Sequence, residues 1–255
     1  IGFKSNPKAD HNVILERQDS SEDQAEQAFH TLVAQLDDHA SDNKEKFQSF
    51  VCTAGGWQGG SCKVRSFLKS CHTMMRNSLE PALVVAHLAA QLLAEDGIVS
   101  FVSSTAGLYP ESKDVGYGTA KCAVNYLSQA LAHNGLPKGA KSICFLPTTL
   151  KTAKNTIVQM SSDNSSWTPL PVLASQIVHW STNPSQVQNG SFIVVSSTLA
   201  YTSFHEHKSA SSATLVTQVP HSKDSSENSI TLNLNGSDSS GSGGSNEENS
   251  GCSIC

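Results

Sequence analysis

The amino-acid sequence predicts an α/β domain, a parallel sheet with helices on both faces, and three observations predict it. Short apolar, β-rich runs alternate with longer amphipathic ones up to about residue 205, the order that places crossover helices between parallel strands. One run, Ile98-Val-Ser-Phe-Val-Ser-Ser-Thr-Ala-Gly107, stays mostly apolar until it ends in hydroxyls and a glycine, as a buried parallel strand does where it opens into a loop. Soon after it, Tyr117 and Lys121 lie one helical turn apart, so both side chains leave the same face.

Each element follows from local chemistry. His11-Asn-Val-Ile-Leu-Glu-Arg17 reads as a strand, and Ser21-Glu-Asp-Gln24 as a capping box opening a helix to about Asp38. Ala28, Leu32, Val33 and Leu36 fall on one face of that helix. Phe47 to Ala54 supplies the next strand. A glycine-rich loop follows, then a long helix from about Val64 to Ala94 and the strand before Ser104. After the Tyr117 helix come a strand from Lys141 to Leu146, an irregular connection, a short helix from about Pro169 to Trp180 and a last strand at Ser191 to Ser196. From residue 206 to 255 the chain turns Ser-, Asn-, Gly- and Glu-rich and is expected to be disordered, since it cannot bury enough surface to offset ordering entropy. A brief alternation at Ser229-Ile-Thr-Leu-Asn-Leu234 is the one candidate strand in it.

Composition narrows the function classes. With 255 residues, 38% of them hydrophobic, the chain can bury one sizeable core. A formal charge of −5 offers no basic stripe for nucleic acid, and no apolar run reaches the length of a membrane span. Seven cysteines, an odd number scattered through strands and helices, fit reduced thiols and a cytoplasmic location. The ten histidines show no metal-ligand spacing; His205-Glu-His207 is expected to be solvated at the start of the tail. Asn164, Asn189 and Asn235 open Asn-x-Ser sequons that a serine-rich chain contains by chance. Cys252-Ser-Ile-Cys255 reads either as a redox pair or as a prenylation box on Cys252, which would add a membrane partner; the acidic residues upstream argue against the second.

The candidate chemistry is proton delivery. A free phenol has a pKa of about 10, so an ammonium beside it favours the phenolate and makes exchange near neutral pH useful. Lys121 stands where that ammonium is needed. Ser104, at a strand's carboxyl end, can converge with Tyr117 on one substrate atom, or it serves the backbone of a turn. Trp57, between glycines that admit a ligand to the backbone, can stack on a flat ring or pack as a lid.

At these residues the chain resembles the short-chain dehydrogenase/reductase superfamily, and more closely its dihydropteridine reductase branch. Val51-Cys-Thr-Ala-Gly-Gly-Trp-Gln-Gly-Gly60 is similar to that branch's Ala-Gly-Gly-Trp-x-Gly-Gly signature. Leu146-Pro-Thr-Thr-Leu-Lys-Thr152 and Ser165-Ser-Trp-Thr-Pro-Leu170 are similar to two further motifs. The resemblance spans residues 1 to about 205. It implies a Rossmann-like doubly wound sheet that lacks the family's first strand, glycine-rich turn and first helix, so the chain is expected to be incomplete at its start. Gly2 stands where the family usually has an acidic residue for the adenosine ribose.

The resemblance also implies roles. Tyr117 and Lys121 are its catalytic pair, and Lys121 holds the nicotinamide ribose of NADH or NADPH. Ser104 occupies the serine position of ordinary members, where the branch usually has alanine. Asn77 matches an asparagine that holds a relay water. Ala54, Gly55 and Gly56 run beside the adenosine half of the cofactor, Pro147, Thr149 and Thr152 line its nicotinamide end, and Trp57 covers the pterin. Lys151 and Thr156 replace the usual Asp and Arg of the substrate loop. The implied activity is hydride transfer from NADH or NADPH to quinonoid dihydropteridine by a homodimer. The alternatives are reduction of another carbonyl or quinoid, or a non-catalytic remnant that keeps a dimer surface.

Overall fold

Four parallel strands form the centre of the sheet: β1 (Phe47–Cys52), β2 (Leu93–Val102), β3 (Lys141–Pro147) and β6 (Phe192–Ser197). These elements come from a computed structural model that describes residues 1–2, 4–10, 12–16, 20–39, 46–158, 163–209 and 212–221. All of them belong to one unit, Ile1–Lys223. Two antiparallel strands, β7 (Tyr201–Ser209) and β8 (Ser212–Pro220), complete the order β1-β2-β3-β6-β7-β8. A small parallel pair, β4 (Leu150–Lys151) with β5 (Thr168–Pro169), stands apart.

Successive residues of the central strands enter different cores, as the two-residue period requires. Val99, Phe101, Cys144 and Leu146 pack with Ala28 and Leu32 of α1 (Ser21–His39), Leu88 and Ala89 of α3 (Glu80–Leu92) and Val124 of α4 (Val115–Asn134). Ile98, Ile143 and Phe145 enter the other core with Leu173, Ile177 and Trp180 of α6 (Leu170–Thr182). There Phe145 and Trp180 stack at 5.5 Å, and Phe204 meets Trp180 edge-on at 6.0 Å. With both faces covered, each fully buried large side chain contributes about 1.5–3 kcal/mol.

Several sequence expectations change. Where a strand over 11–17 was expected, the described residues 12–16 make one isolated parallel bridge, Gly2 with Ile14, because the described backbone–backbone hydrogen bonds of Val13 to Leu15 go only to Gly2 and the Ile14 carbonyl accepts from the Gln27 side chain. The cap of α1 is Ser20, whose hydroxyl accepts from the Asp23 amide while Asp23 accepts from the Ser20 amide, one residue earlier than the predicted box. The long helix divides into α2 (Phe67–Met74), a π-turn (Met75–Leu79) and α3. Pro81 supplies the reason: it has no amide proton, and its ring crowds the carbonyl four residues earlier, that of Asn77.

The sheet also continues past residue 205, where a disordered tail was expected. Thr202, Phe204 and Val219 bury their side chains once β7 pairs with β6, so the hydroxyl-rich β7–β8 hairpin has an inner face that composition alone conceals. Ser191 donates to Glu206 at 2.7 Å, and His205-Glu-His207 lies within β7. The segments 229–234 and 252–255 lie outside the described residues. No described helix is long and apolar enough to cross a membrane, and no described His, Cys, Asp or Glu group could hold a metal.

The hairpin generates a stability prediction. A chain ended at residue 205 loses β8 and the end of β7, and its thermal midpoint by circular dichroism is expected to fall more than about 5 °C below that of a chain ended at residue 221. Equal midpoints would show that β8 contributes nothing to the second core.

Candidate active site

The site is assembled by one helix laid against two strand ends. The buried face of α4 carries Gly116, Ala120, Lys121, Val124, Asn125 and Ser128, single residues and adjacent pairs that recur at each turn of the helix. Small residues let it approach: a Cβ on Gly107 would lie 2.8 Å from the Lys121 carbonyl carbon and from the Cys122 amide nitrogen. Polar contacts then fix the register. Ser103 donates to the Lys121 carbonyl at 3.1 Å, Ser128 and Ser142 share a hydrogen bond at 2.9 Å, and the Cys144 thiol donates to Asn125 Oδ1 at 3.6 Å.

Lys121 itself is only 4% exposed. Its Nζ donates to the Val102 carbonyl at the end of β2, 3.1 Å away, and lies 6.0 Å from the Tyr117 ring centroid. Ser104, also buried, follows at the next turn of chain; its hydroxyl donates to the Pro147 carbonyl at 3.5 Å and accepts from the Ala106 amide at 3.2 Å. It also faces the Tyr117 phenol, where a hydroxyl favours the ionised form. The structure therefore brings Tyr117, Lys121, Ser104 and Pro147 together at the carboxyl ends of β2 and β3, where open α/β sheets bind ligands.

The glycine loop passes directly over the ammonium. At Gly55, φ is +152°, and a Cβ there would lie 3.0 Å from Lys121 Nζ and 3.5 Å from Ser78 Oγ, so a side chain would fill the approach. A Cβ on Gly56 would meet nothing within 4 Å. Trp57, 43% exposed, folds back so that its ring lies 3.1 Å from the place of a Gly59 Cβ, with Asp114 Oδ1 at 3.2 Å from the same point. It thus borders the start of the Tyr117 helix.

Other expected residues sit farther from this cluster or have local work. Asn77 is exposed; the buried polar side chain of the π-turn is its neighbour Ser78, 1% exposed, with a hydroxyl lacking a hydrogen-bond partner. Pro81 marks the π-turn in the sequence, since it withholds the amide that an α-helical hydrogen bond would need. The Thr152 hydroxyl accepts from the Asn155 amide at the start of α5 (Ala153–Val158), and the Thr149 carbonyl accepts from Thr168 in the small sheet. Ala54 packs against the first core. Lys151 and Thr156 are exposed.

Burial sets the electrostatics of the cluster. It pushes the Tyr117 phenol above its ordinary value; the Ser104 hydroxyl opposes this and the Asp114 carboxylate adds to it. Burial likewise pulls the Lys121 ammonium down, against the upward pull of Cys144 and Cys52. Cys144 is pushed up to about 12 by burial, and Cys52 is raised for the same reason. The expected lowering of the phenol by Lys121 is thus overridden by desolvation, and Tyr117 rests as a neutral donor. A buried ammonium with donors to spare beneath side-chain-free backbone at Gly55 and Gly56 fits a nicotinamide dinucleotide.

Comparison with known proteins agrees with this geometry. The profile of the short chain dehydrogenase family matches residues 14–163. A dihydropteridine reductase of Dictyostelium discoideum is 34% identical over 196 residues, covering 76% of this chain and 80% of its own. A short chain dehydrogenase from Salmonella enterica serovar Typhi superposes with a TM-score of 0.58 at 16% identity, over 71% of this chain and 72% of the other. ElxO with NADP bound gives 0.57 at 16% identity, over 71% and 74%. The two structures share the fold; the profile and the Dictyostelium relative carry the assignment, and by them the chain belongs to the short-chain dehydrogenase family of nicotinamide-dependent oxidoreductases.

Proposed function

We propose that the chain reduces quinonoid dihydropteridine to the tetrahydro form with NADH or NADPH. The observation that carries this reading is the convergence of the Tyr117 phenol, the Lys121 ammonium and the Ser104 hydroxyl at two strand ends beneath a glycine loop that bears Trp57. The named activity of the Dictyostelium relative supports the choice of substrate. When bound, the nicotinamide cofactor supplies the hydride. The chain supplies the proton, its position and the exclusion of water.

Tyr117 Oη, kept protonated by burial, donates to the pterin nitrogen that gains the proton, and Ser104 orients the phenol. Lys121 holds the ribose hydroxyls, with Ala54, Gly55, Gly56, Pro147, Thr149 and Thr152 along the cofactor. Trp57 offers a planar face for the pterin. A carbonyl substrate is the second reading. It is favoured by the Ser104 hydroxyl beside the Tyr117 phenol, an arrangement that also suits a ketone oxygen.

Two further parts of the reading concern the whole chain. Leu68 on α2 and Tyr126 on α4 are 78% and 75% exposed, large side chains that support a homodimer built on these helices. Sedimentation is expected to give twice the chain mass, and a monomer at working concentration would sink that part. Cys52, Cys62, Cys71, Cys122 and Cys144 are free thiols, which supports a reducing, cytoplasmic setting.

Turnover tests the assignment. Oxidation of NADH or NADPH is expected with quinonoid dihydropterin as acceptor, and Tyr117→Phe is expected to lower kcat about 10²-fold, the low end for a general acid because the acceptor is intrinsically reactive, while cofactor affinity barely moves. Lys121→Met is expected to damage both, and to raise the thermal midpoint by removing a desolvated charge. Full turnover by Tyr117→Phe with pterin and carbonyls alike would sink the proton-donor role.

The phenol also has a spectroscopic test. Against Tyr117→Phe, the ultraviolet titration of the cofactor-free chain is expected to assign Tyr117 ionisation above the ordinary phenol value of about 10, since burial favours the neutral form. Ionisation below that value would mean that Lys121, and not desolvation, governs the group.

A further inference from the structure

A row of side-chain hydrogen bonds runs from the end of the β7–β8 hairpin to the small sheet. His221 Nε2 lies 2.8 Å from Thr202 Oγ1, Thr202 Oγ1 lies 2.8 Å from Ser197 Oγ, and Ser197 donates to Thr168 Oγ1 at 2.8 Å. Thr168, Ser197 and Thr202 are buried, whereas His221, one residue past β8, is half-buried and closes the outer end of the row. Its own amide donates to the Ala200 carbonyl at 2.7 Å, which fixes the ring beside Thr202. The inner end continues through the backbone. The Thr168 amide donates to the Thr149 carbonyl at 2.9 Å, and Thr168 pairs with Leu150 in the β4–β5 register.

The supply of protons fixes which atoms donate. Each hydroxyl carries one proton. That of Ser197 is committed to Thr168, so the contact between Ser197 and Thr202 needs the Thr202 proton. Nothing is then left on Thr202 for the imidazole, and the third contact holds only where Nε2 itself carries a proton. A neutral ring with its proton on Nδ1 would set a lone pair against the buried Thr202 oxygen at 2.8 Å and forfeit a hydrogen bond there, a loss of about 0.5–1.5 kcal/mol before any repulsion. With the proton on Nε2, every donor in the row points the same way, from the ring toward β5, an order in which neighbouring bonds polarise one another.

We propose that His221 is a positioning residue, whose Nε2–H anchors the hydroxyl row that holds β5, and through it the Thr149 segment, at the carboxyl end of the sheet. The place of Thr149 at the nicotinamide end rests on the function proposed above; the hydrogen-bonded row does not depend on it. The hairpin thus does more than close the second core, because its last residue reaches the segment that borders the site.

The test reads the ring and the segment separately in the cofactor-free chain. With isotope-labelled histidine in alkaline buffer, the His221 ring signals are assigned by their loss in His221→Gln, and long-range nitrogen–proton correlations are expected to show the Nε2–H tautomer of the neutral ring. The Nδ1–H tautomer would overturn the proposal. The second reading is hydrogen exchange at the Thr168 amide. His221→Phe keeps a ring without a donor and is expected to speed that exchange about tenfold, the factor that about 1.4 kcal/mol supplies. His221→Gln, whose side-chain amide can donate from a similar place, is expected to restore most of the protection. Unchanged exchange in His221→Phe, or an equal loss in both variants, would overturn the proposal as well. Should His221→Phe not fold, Thr202→Val, which removes the middle hydroxyl at nearly constant volume, is held to the same exchange standard. Turnover of the parent with quinonoid dihydropterin is measured apart from these readings. Its absence would sink the substrate assignment and leave the tautomer and the exchange rates to decide the role of His221.

Discussion

A primary ammonium buried beneath a glycine loop is the constraint on which the rest of the site depends. Lys121 has given up most of its water, and such a group is stable only where the protein returns acceptors in fixed places. The Val102 carbonyl can do this because β2 ends there and its last carbonyl is available to a side chain from α4. Ser103, one residue on, takes the backbone carbonyl of the same lysine. Two consecutive residues at one strand end thus hold both ends of Lys121, and the Tyr117 ring, one turn earlier on α4, is carried into place with it.

That arrangement explains why small residues gather around α4. A helix that presents a lysine to a carbonyl at 3.1 Å must approach the strand end closely, and Gly107, just past β2, removes the side chain that would hold it away, while Gly116 lets the same helix pack against Cys71 of α2. The hydroxyl and amide contacts of Ser103, Ser128, Ser142 and Asn125 are individually modest, about 0.5–1.5 kcal/mol each. Together they define a register, because shifting the helix by one residue would strand every one of these buried polar groups at once. Specific positioning here comes from satisfying polar groups, and bulk stability from the two apolar cores on either side of the sheet.

Burial also decides the resting protonation of the cluster. The phenol and both thiols are driven up and the ammonium down, so each of the four groups is biased toward its neutral form. For a reductase this is a useful direction: the group that must give a proton holds one throughout the neutral range. The usual picture of a lysine that lowers its tyrosine neighbour requires the charge to outweigh desolvation, and at 6.0 Å from the ring centroid in a buried site it does not.

Much of this was legible from the residues in order. The alternation of element types, the apolar run ending at Ser103 and Ser104, the Tyr117–Lys121 spacing and the Gly55–Gly60 loop are local patterns, and the central strands, the helix and the loop that carry them form where those patterns place them. Pro81 was equally visible, but its effect on the helix was not read; Asn77, named by resemblance, is exposed, and the buried polar residue of the π-turn is Ser78. The β7–β8 hairpin was hidden for another reason. Its serines, threonines and histidines resemble a solvated tail until β6 offers an edge, and only then does the alternation of Thr202, Phe204 and Val219 acquire an inside. The sequence by itself determined the order of elements and which side chains share a face, because both follow from backbone period. Tertiary structure alone decided which polar groups lose water, in which direction the pKa values move and which residue of the π-turn is buried, because desolvation and contact depend on neighbours that are distant along the chain.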